Sequence, residues 1–148
     1  MKKYYILFLS FLSLISYAQG DEESVVWTTS VNRISATTVD LHFDATITDK
    51  WHLYSLEEFE DGPLPTEFTF ELDSLRVRLD GPMTSSKPII EFDEIFEIDL
   101  PFFEYKARFT QRLQILDPSL EQFSGEINYQ ACDDRLCIFR TELFTLSL

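Results

Sequence analysis

Cys132 and Cys137 are the only two cysteines in the sequence, and their type and spacing make them the first candidates for chemistry. Four residues lie between them, Asp133-Asp134-Arg135-Leu136, and a strand-like segment stands on either side. Two cysteines this close normally pair in an oxidising compartment when the geometry allows it. The spacing therefore predicts a disulfide across the base of a hairpin.

The spacing alone leaves both a structural and a redox role open for this disulfide. A structural bond is the usual reading in a small exported domain, but a loop of about six residues gives only about 2 kcal/mol of stabilisation. For a redox role, no helix start is predicted beside the cysteines to stabilise a thiolate, and Asp133 and Asp134 should disfavour it while Arg135 should favour it. A slow thiol suits a carrier that keeps its electrons until a specific partner docks.

Other chemistries have weaker support in the sequence. No Gly-rich phosphate loop, nucleophile elbow or calcium-loop pattern occurs, and the acids of residues 57–61 are expected to form a solvated face. Nothing points to a carboxylate pair for glycosidase chemistry, although a glycan-binding or hydrolytic sandwich stays open. A zinc site would need an unusual histidine spacing, so we predict no metal and no organic cofactor. The four possible zinc ligands are Cys132, Cys137, His42 and His52.

The elements that must position the cysteines are strands, because the dominant hydrophobic period is two. Residues 39–47 alternate apolar and polar side chains, as a strand with one solvated face does. Short strands with regular turns favour an all-β, immunoglobulin-like antiparallel β-sandwich with little helix. Further strands are predicted within 25–31, 51–54, 68–72, 75–79, 107–115, 127–131 and 138–148. Turns are predicted at 48–50, 61–63, 80–82, 117–119 and 124–125.

Two stretches depart from this alternation. Residues 56–65 are acidic, contain two prolines and are predicted to form a loop. Residues 89–105 are rich in aromatics and acids, and Pro101 should interrupt any strand there. We expect an irregular segment that folds back over another part of the molecule, with Phe102 and Phe103 either covering that part or filling the edge of the core.

The first 18 residues have the order of a secretory signal peptide. Lys2 and Lys3 precede an apolar run over residues 4–15, and Ser16-Tyr17-Ala18 follows. The run is shorter than the ~20 residues that a spanning helix needs. We therefore expect cleavage after Ala18, periplasmic localisation without membrane insertion, and a single domain over residues 19–148.

The charge balance excludes some partners. The sequence has 26 Asp and Glu against 12 Lys and Arg, a net charge of −14. Such a surface repels phosphate backbones and anionic membranes, so we predict no nucleic-acid partner. We expect a monomer.

Three segments together resemble a known family. The segment Tyr129-Gln130-Ala131-Cys132 through Cys137 resembles the active site of the N-terminal periplasmic domain of the thiol–disulfide interchange protein DsbD. Residues 51–55, Trp-His-Leu-Tyr-Ser, and residues 93–96 with 107–109 resemble the same family less specifically. The resemblance extends from about residue 25 to residue 148.

The resemblance implies an immunoglobulin-like fold whose two cysteines cycle between dithiol and disulfide. It implies a thioredoxin-like electron donor, exported thiol proteins as acceptors, and an aromatic cap over the cysteines. Carried over by position, the cap falls on Phe96 with Ile95, and Tyr54 becomes an aromatic beside the pair. The acids near the sulfurs would be Asp93 and Glu94, besides Asp133 and Asp134 in the turn.

The sequence departs from the family at two points. Prolines often follow the second cysteine in the family, whereas Ile138-Phe139-Arg140 stand here. The printed sequence also has no membrane part and no thioredoxin-like domain, so we expect the donor to be a separate protein. The resulting hypothesis is a periplasmic thiol–disulfide exchange domain. The alternative is a non-catalytic β-sandwich binding module with a structural disulfide.

Overall fold

The computed structural model describes residues 23–148, which form eleven β-strands and no helix. The predicted signal peptide, residues 1–18, and the expected new N-terminus at Gln19 lie outside the described residues. The strands are β1 (Val25–Arg33), β2 (Thr38–Ile47), β3 (His52–Tyr54), β4 (Glu67–Glu71), β5 (Val77–Leu79), β6 (Thr84–Ser85), β7 (Ile89–Asp93), β8 (Ile98–Phe103), β9 (Lys106–Ile115), β10 (Gln122–Cys132) and β11 (Cys137–Ser147).

The strands form two antiparallel sheets. The first has the order β1-β2-β9-β5, with β6 also pairing with β9. The second has the order β11-β10-β3-β8-β7, with β4 pairing with β10 beyond the end of β3. The chain is therefore all-β, and the predicted immunoglobulin-like sandwich is confirmed. No helix within residues 23–148 is long and apolar enough to cross a membrane.

The core lies between the two sheets and follows from the period-two alternation. Phe43 on β2 stands opposite Phe109 on β9, and both side chains are fully buried. Gln111, the polar exception in the β9 pattern, is also buried. Its side-chain amide donates to the carbonyls of Gly81 and Arg112, so the buried donors are satisfied.

The predicted loop over residues 56–65 is confirmed, and so is the turn before Trp51, whose N–H donates to the Thr48 carbonyl. The predicted turn at residues 124–125 is wrong, because both residues lie inside β10. Gly125 is needed there for close packing, not for a turn. A Cβ at this position would collide with the Thr69 carbonyl and the Phe144 ring.

The expectation of an irregular segment over residues 89–105 is also wrong, because β7 and β8 form a hairpin. Pro101 is tolerated within β8 because its missing N–H faces the β3 side of the strand, where β3 has already ended. The Pro101 carbonyl faces the same side and accepts a hydrogen bond from the N–H of Ser55, the residue that follows the last paired residue of β3. Phe102 and Phe103 point to opposite faces of the sheet, so only Phe103 joins the main core.

Candidate functional site

The two cysteines close the hairpin between β10 and β11. Cys132 and Cys137 are directly opposite in register, with Cα atoms 4.1 Å apart and an S–S bond of 2.05 Å. The Asp133 N–H donates to the Leu136 carbonyl, so Asp133 and Leu136 form a hydrogen-bonded pair. Because such pairs alternate along an antiparallel ladder, the adjacent cysteines form a non-hydrogen-bonded pair. Such pairs bring side chains closest together. The predicted disulfide is confirmed.

Asp133 shapes the turn that the disulfide closes. Its Oδ1 accepts hydrogen bonds from the backbone N–H of Arg135 and of Leu136, each at 2.8 Å. The hydrogen bond from the Leu136 N–H, and to a lesser extent that from the Arg135 N–H, lowers the pKa of the Asp133 carboxyl below its usual value. The carboxylate is thus engaged with the turn backbone, whereas Asp134 is exposed.

The disulfide lies on the outer face of the second sheet, away from the main core. Ala131 points into the core, so Cys132, the next residue along β10, points outward. The Cys132 sulfur is buried in a second hydrophobic cluster, here called the outer-face cluster. Cys132 is fully buried, while Cys137 is only partly buried. The cluster's other members are Tyr54, Leu100 and Phe102, with Phe59, Phe96 and Ile98 packed against them.

A hydrogen-bonded unit joins the sheet to the β7–β8 turn. The Tyr54 hydroxyl donates to Oδ2 of buried Asp93 at 2.7 Å. Oδ1 of Asp93 accepts from the N–H groups of Ile95 and Phe96, at 2.8 and 3.1 Å. The Phe96 ring packs edge-on against Tyr54, with centroids 5.9 Å apart. Burial, and secondarily the Asp93 carboxylate, raises the pKa of Tyr54 well above its usual value.

The structure brings most of the sequence-predicted site residues together around the cysteines. Tyr54, Asp93 and Phe96 form the unit just described, and Phe96 packs on the outer-face cluster that contains the disulfide. Glu94 and Ile95 occupy the same turn but are exposed.

An open depression of about 440 Å³ separates this turn from the cysteine hairpin. Asp133 and Asp134 line it from the hairpin side, and Glu94 and Ile95 line it from the β7–β8 side. His52 and Glu104 also contribute to its wall. The depression beside the cysteine hairpin is therefore strongly acidic.

Gln130 also lies at the site, although no sequence motif predicted a role for it. Its side chain is buried, its Oε1 accepts from the Leu64 N–H at 2.8 Å, and its Nε2 lies 3.5 Å from Cys132 Sγ. Gln130 thereby ties the loop between β3 and β4 to the buried sulfur. Its position two residues before Cys132 on a strand, and hence on the same face, was the available signal.

The possible zinc ligands are not brought together. His52 pairs with Cys132 in the second sheet, but His42 lies on the first sheet and its Nδ1 is 3.1 Å from the Thr110 hydroxyl oxygen. His42 alternates with core residues Leu41 and Phe43, so it points away from the second sheet. In the described part of the chain no group of three or more His, Cys, Asp or Glu side chains is arranged to hold a metal ion.

Comparison with known proteins identifies one family. The family model described as "Thiol:disulfide interchange protein DsbD, N-terminal" matches residues 21–148. No curated protein sequence matches this chain.

Three solved structures are similar. The N-terminal periplasmic domain of ScsB from Proteus mirabilis has a TM-score of 0.63 at 13% identity, over 85% of this chain and 47% of that chain. This chain thus spans about half the length of that relative. The reduced N-terminal domain of DsbD from Neisseria meningitidis has a TM-score of 0.51 at 15% identity, over 82% and 83%. A complex of the DsbD and PilB N-terminal domains from Neisseria meningitidis gives 0.53 at 14% identity, over 88% and 87%.

Proposed function

This chain belongs to the family of N-terminal domains of the thiol:disulfide interchange protein DsbD, and we propose that it is a periplasmic thiol–disulfide exchange domain. In this proposal Cys132 and Cys137 cycle between disulfide and dithiol. The domain takes electrons from a membrane-bound or thioredoxin-like donor and passes them to exported thiol proteins.

The placement of the disulfide carries the proposal. The bond lies outside the main core, on the outer face of a sheet, and closes a loop too short for large stabilisation. Cys132 is fully buried, whereas Cys137 is partly exposed. A bond that only held the fold together would be more effective between distant strands, whereas a bond that exchanges must be reachable.

The greater exposure of Cys137 than of Cys132 supports an order of exchange in which Cys137 is attacked first. A donor thiolate attacks the partly exposed Cys137 Sγ, the S–S bond breaks, and Cys132 leaves as a thiolate that takes up a proton. The donor's second thiol loses its proton and attacks the mixed disulfide. This releases reduced Cys137 and leaves the donor oxidised. The reduced pair then delivers the same two electrons to a disulfide of an exported protein by the reverse sequence.

The β7–β8 turn that carries Phe96, here called the Phe96 turn, is the gate in this proposal. Phe96 packs on the cluster that holds the disulfide, and Ile95 stands exposed beside it. The Asp93 carboxylate fixes the turn through two backbone N–H groups. Displacement of the Phe96 ring by a docking partner would expose the sulfurs only when a partner is present. Asp93, Glu94, Tyr54, Asp133 and Asp134 form the surroundings of the pair.

Location and partners are part of the same proposal. The ScsB relative is named as a periplasmic domain, and a DsbD relative is solved in complex with a PilB domain. We infer that the signal peptide is cleaved after Ala18 and that residues 19–148 function as a monomeric single domain. Mass spectrometry of the exported protein would give the mature N-terminus. A chain that retains residues 1–18 would contradict the cleavage.

The reduction potential of the pair tests the exchange function. Equilibration of the oxidised domain with glutathione and dithiothreitol buffers should give a value well below the roughly −120 mV of a strong periplasmic oxidant, near or below −200 mV. The reason is that no helix N-terminus stabilises the thiolate. A potential below about −300 mV would instead support a binding module with a structural disulfide. A potential near −120 mV would reverse the proposed electron flow.

Single-cysteine variants test the order of attack. Cys132→Ser leaves the partly exposed Cys137 and should trap exported thiol proteins as mixed disulfides. Cys137→Ser leaves the buried Cys132 and should trap few. Equal capture by both variants would contradict the proposed order, and no capture by either would contradict the exchange function.

A further inference from the structure

The open edge of the second sheet lies beside the redox site. In the described part of the chain β7 pairs with β8 alone, and the sheet order ends at β7. Edge strands present unpaired backbone groups to which another chain can add. The residues that follow β7 form the turn carrying Phe96.

The register shows which backbone groups are free. Ile90 stands opposite Pro101, whose carbonyl points to the β3 side and accepts from the Ser55 N–H. The Ile90–Pro101 pair is therefore not hydrogen-bonded between β7 and β8, because ladder bonds alternate along antiparallel strands. The N–H and C=O groups of Ile90, and of Phe92 two residues later, consequently point outward from the sheet. An extended segment could bond to both residues.

The side chains on the two faces of β7 differ. Ile90 and Phe92 share one face and are 69% and 61% exposed, which is high for large apolar side chains next to each other on a strand. Glu91 points to the other face, where it lines the acidic depression that also contains Asp133 and Asp134. An incoming strand would meet apolar side chains on one face and carboxylates on the other.

We propose that the β7 edge docks an extended segment of the partner thiol protein in which apolar and basic side chains alternate. The partner segment adds as a strand beside β7 and bonds to the outward backbone groups of Ile90 and Phe92. Its apolar side chains cover these two residues, and its Lys or Arg side chains face Glu91 and the acidic depression. Two copies of this chain are poorly suited to pair here, because each brings the same carboxylates and a net charge of −14.

Docking at β7 brings the partner to the cysteines. The depression lined by Glu91 extends to Asp133 and Asp134 in the cysteine hairpin. β7 ends at Asp93, whose carboxylate holds the Phe96 turn. The identification of the occupant as a redox partner rests on the proposed function, but binding at the edge can be measured without any thiol chemistry.

The test uses the oxidised domain and a short cysteine-free synthetic peptide of alternating valine and lysine. Nuclear magnetic resonance should show the amide signals of Ile90 and Phe92 shifting and becoming protected from solvent exchange as peptide is added. A peptide of alternating valine and glutamate should bind at least about tenfold more weakly, as like charges face each other across the new pairing.

Two variants of the edge have matched controls on β11, the strand at the opposite edge of the same sheet. Ile90→Pro removes one outward N–H and should weaken peptide binding about fivefold, the factor that one backbone hydrogen bond gives. Leu143→Pro removes an N–H that likewise points away from β10, and it should leave binding unchanged. Glu91→Lys should weaken binding by a similar factor, whereas Glu142→Lys should not.

Three binding results would overturn the docking proposal. These are absence of peptide binding, protection of β11 amides in place of β7 amides, and equal weakening by the edge variants and their controls. Concentration-dependent dimerisation that Ile90→Pro abolishes would also overturn it, because the edge would then serve self-association. If Ile90→Pro does not fold, Glu91→Lys and its control decide the question. A failed exchange function would show in the reduction potential and leave these binding results unchanged.

Discussion

The main core and the outer-face cluster lie on opposite faces of the second sheet, and they are built differently. The main core is closed on both sides by sheets, and its largest side chains, such as Phe43 and Phe109, are fully buried. The outer-face cluster has a sheet beneath it, and among residues 23–148 only a loop and a turn lie above it, which contribute Phe59 and Phe96. A covering made of loops can move without unfolding the domain.

The two clusters also differ in their polar groups. The packing of the main core is almost wholly apolar, and Gln111 is held by backbone carbonyls. Around the outer-face cluster, Asp93 accepts hydrogen bonds from Tyr54 and from the β7–β8 turn, and Gln130 joins a loop to Cys132. Directional hydrogen bonds fix the positions of a few atoms accurately, whereas apolar packing gives stability without direction. We therefore expect the main core to supply stability and the outer-face cluster to position and shield the disulfide.

The largest effect should come from the main core. Phe109→Ala removes a fully buried ring from between the sheets and should lower the free energy of unfolding by about 3–5 kcal/mol. Urea unfolding would measure the loss. Because Phe109 does not belong to the outer-face cluster, the alkylation rate of the reduced pair in the folded variant should be unchanged. A faster rate would show that the two clusters are not independent.

Reduction of the disulfide should have a smaller effect on stability. Opening a loop of this length should lower the free energy of unfolding by about 2 kcal/mol. Urea unfolding of the oxidised and reduced domain would give the difference. If the reduced domain were unfolded without denaturant, the disulfide would be a structural requirement and the comparison between the clusters would fail.

Loss of the cap should change reactivity more than stability. Phe96→Ala should uncover the sulfurs and speed alkylation of the reduced pair by iodoacetamide severalfold, since thiol reactivity depends on access. Ile95→Ala is the matched control, because Ile95 lies in the same turn but is 51% exposed. A stability loss as large as that of Phe109→Ala, with no gain in rate, would show that Phe96 acts as a core residue.

The smallest effect concerns the Tyr54–Asp93 hydrogen bond. The fold raises the pKa of Tyr54, so it favours the neutral phenol, and this contribution is fully present below about pH 10 and lost as the pH rises further. Tyr54→Phe should cost about 1 kcal/mol at neutral pH and make the alkaline fall in stability less steep.

Part of that alkaline fall should persist in Tyr54→Phe, because burial also raises the pKa of Tyr129. Urea unfolding at several pH values is the measurement. Tyr105→Phe is the control, since Tyr105 is exposed. An alkaline fall equally steep in Tyr54→Phe and in the unmodified protein would show that the fold does not raise the pKa of Tyr54.

Local sequence determined eight of the eleven strands within residues 23–148, the cysteine hairpin and the main core, but it did not predict β6, β7 or β8. A period of two fixes which side chains share a face, and a separation of five residues at a hairpin fixes which cysteines pair. The resemblance to a family, and not the local pattern, placed Phe96 and Tyr54 beside the cysteines. Local patterns failed where a residue's role depends on a distant neighbour. Gly125 looked like a turn residue, but the Phe144 ring requires it within a strand.

Only the tertiary structure decided which sheet face holds the disulfide and which backbone groups remain free. Pro101 appeared to exclude a strand, yet it is accommodated because β3 ends at Tyr54, and that end is set by long-range pairing. The same register turns the backbone of Ile90 outward and leaves β7 at the sheet edge. Strand order and register arise from contacts between residues far apart in sequence, so no local window contains them.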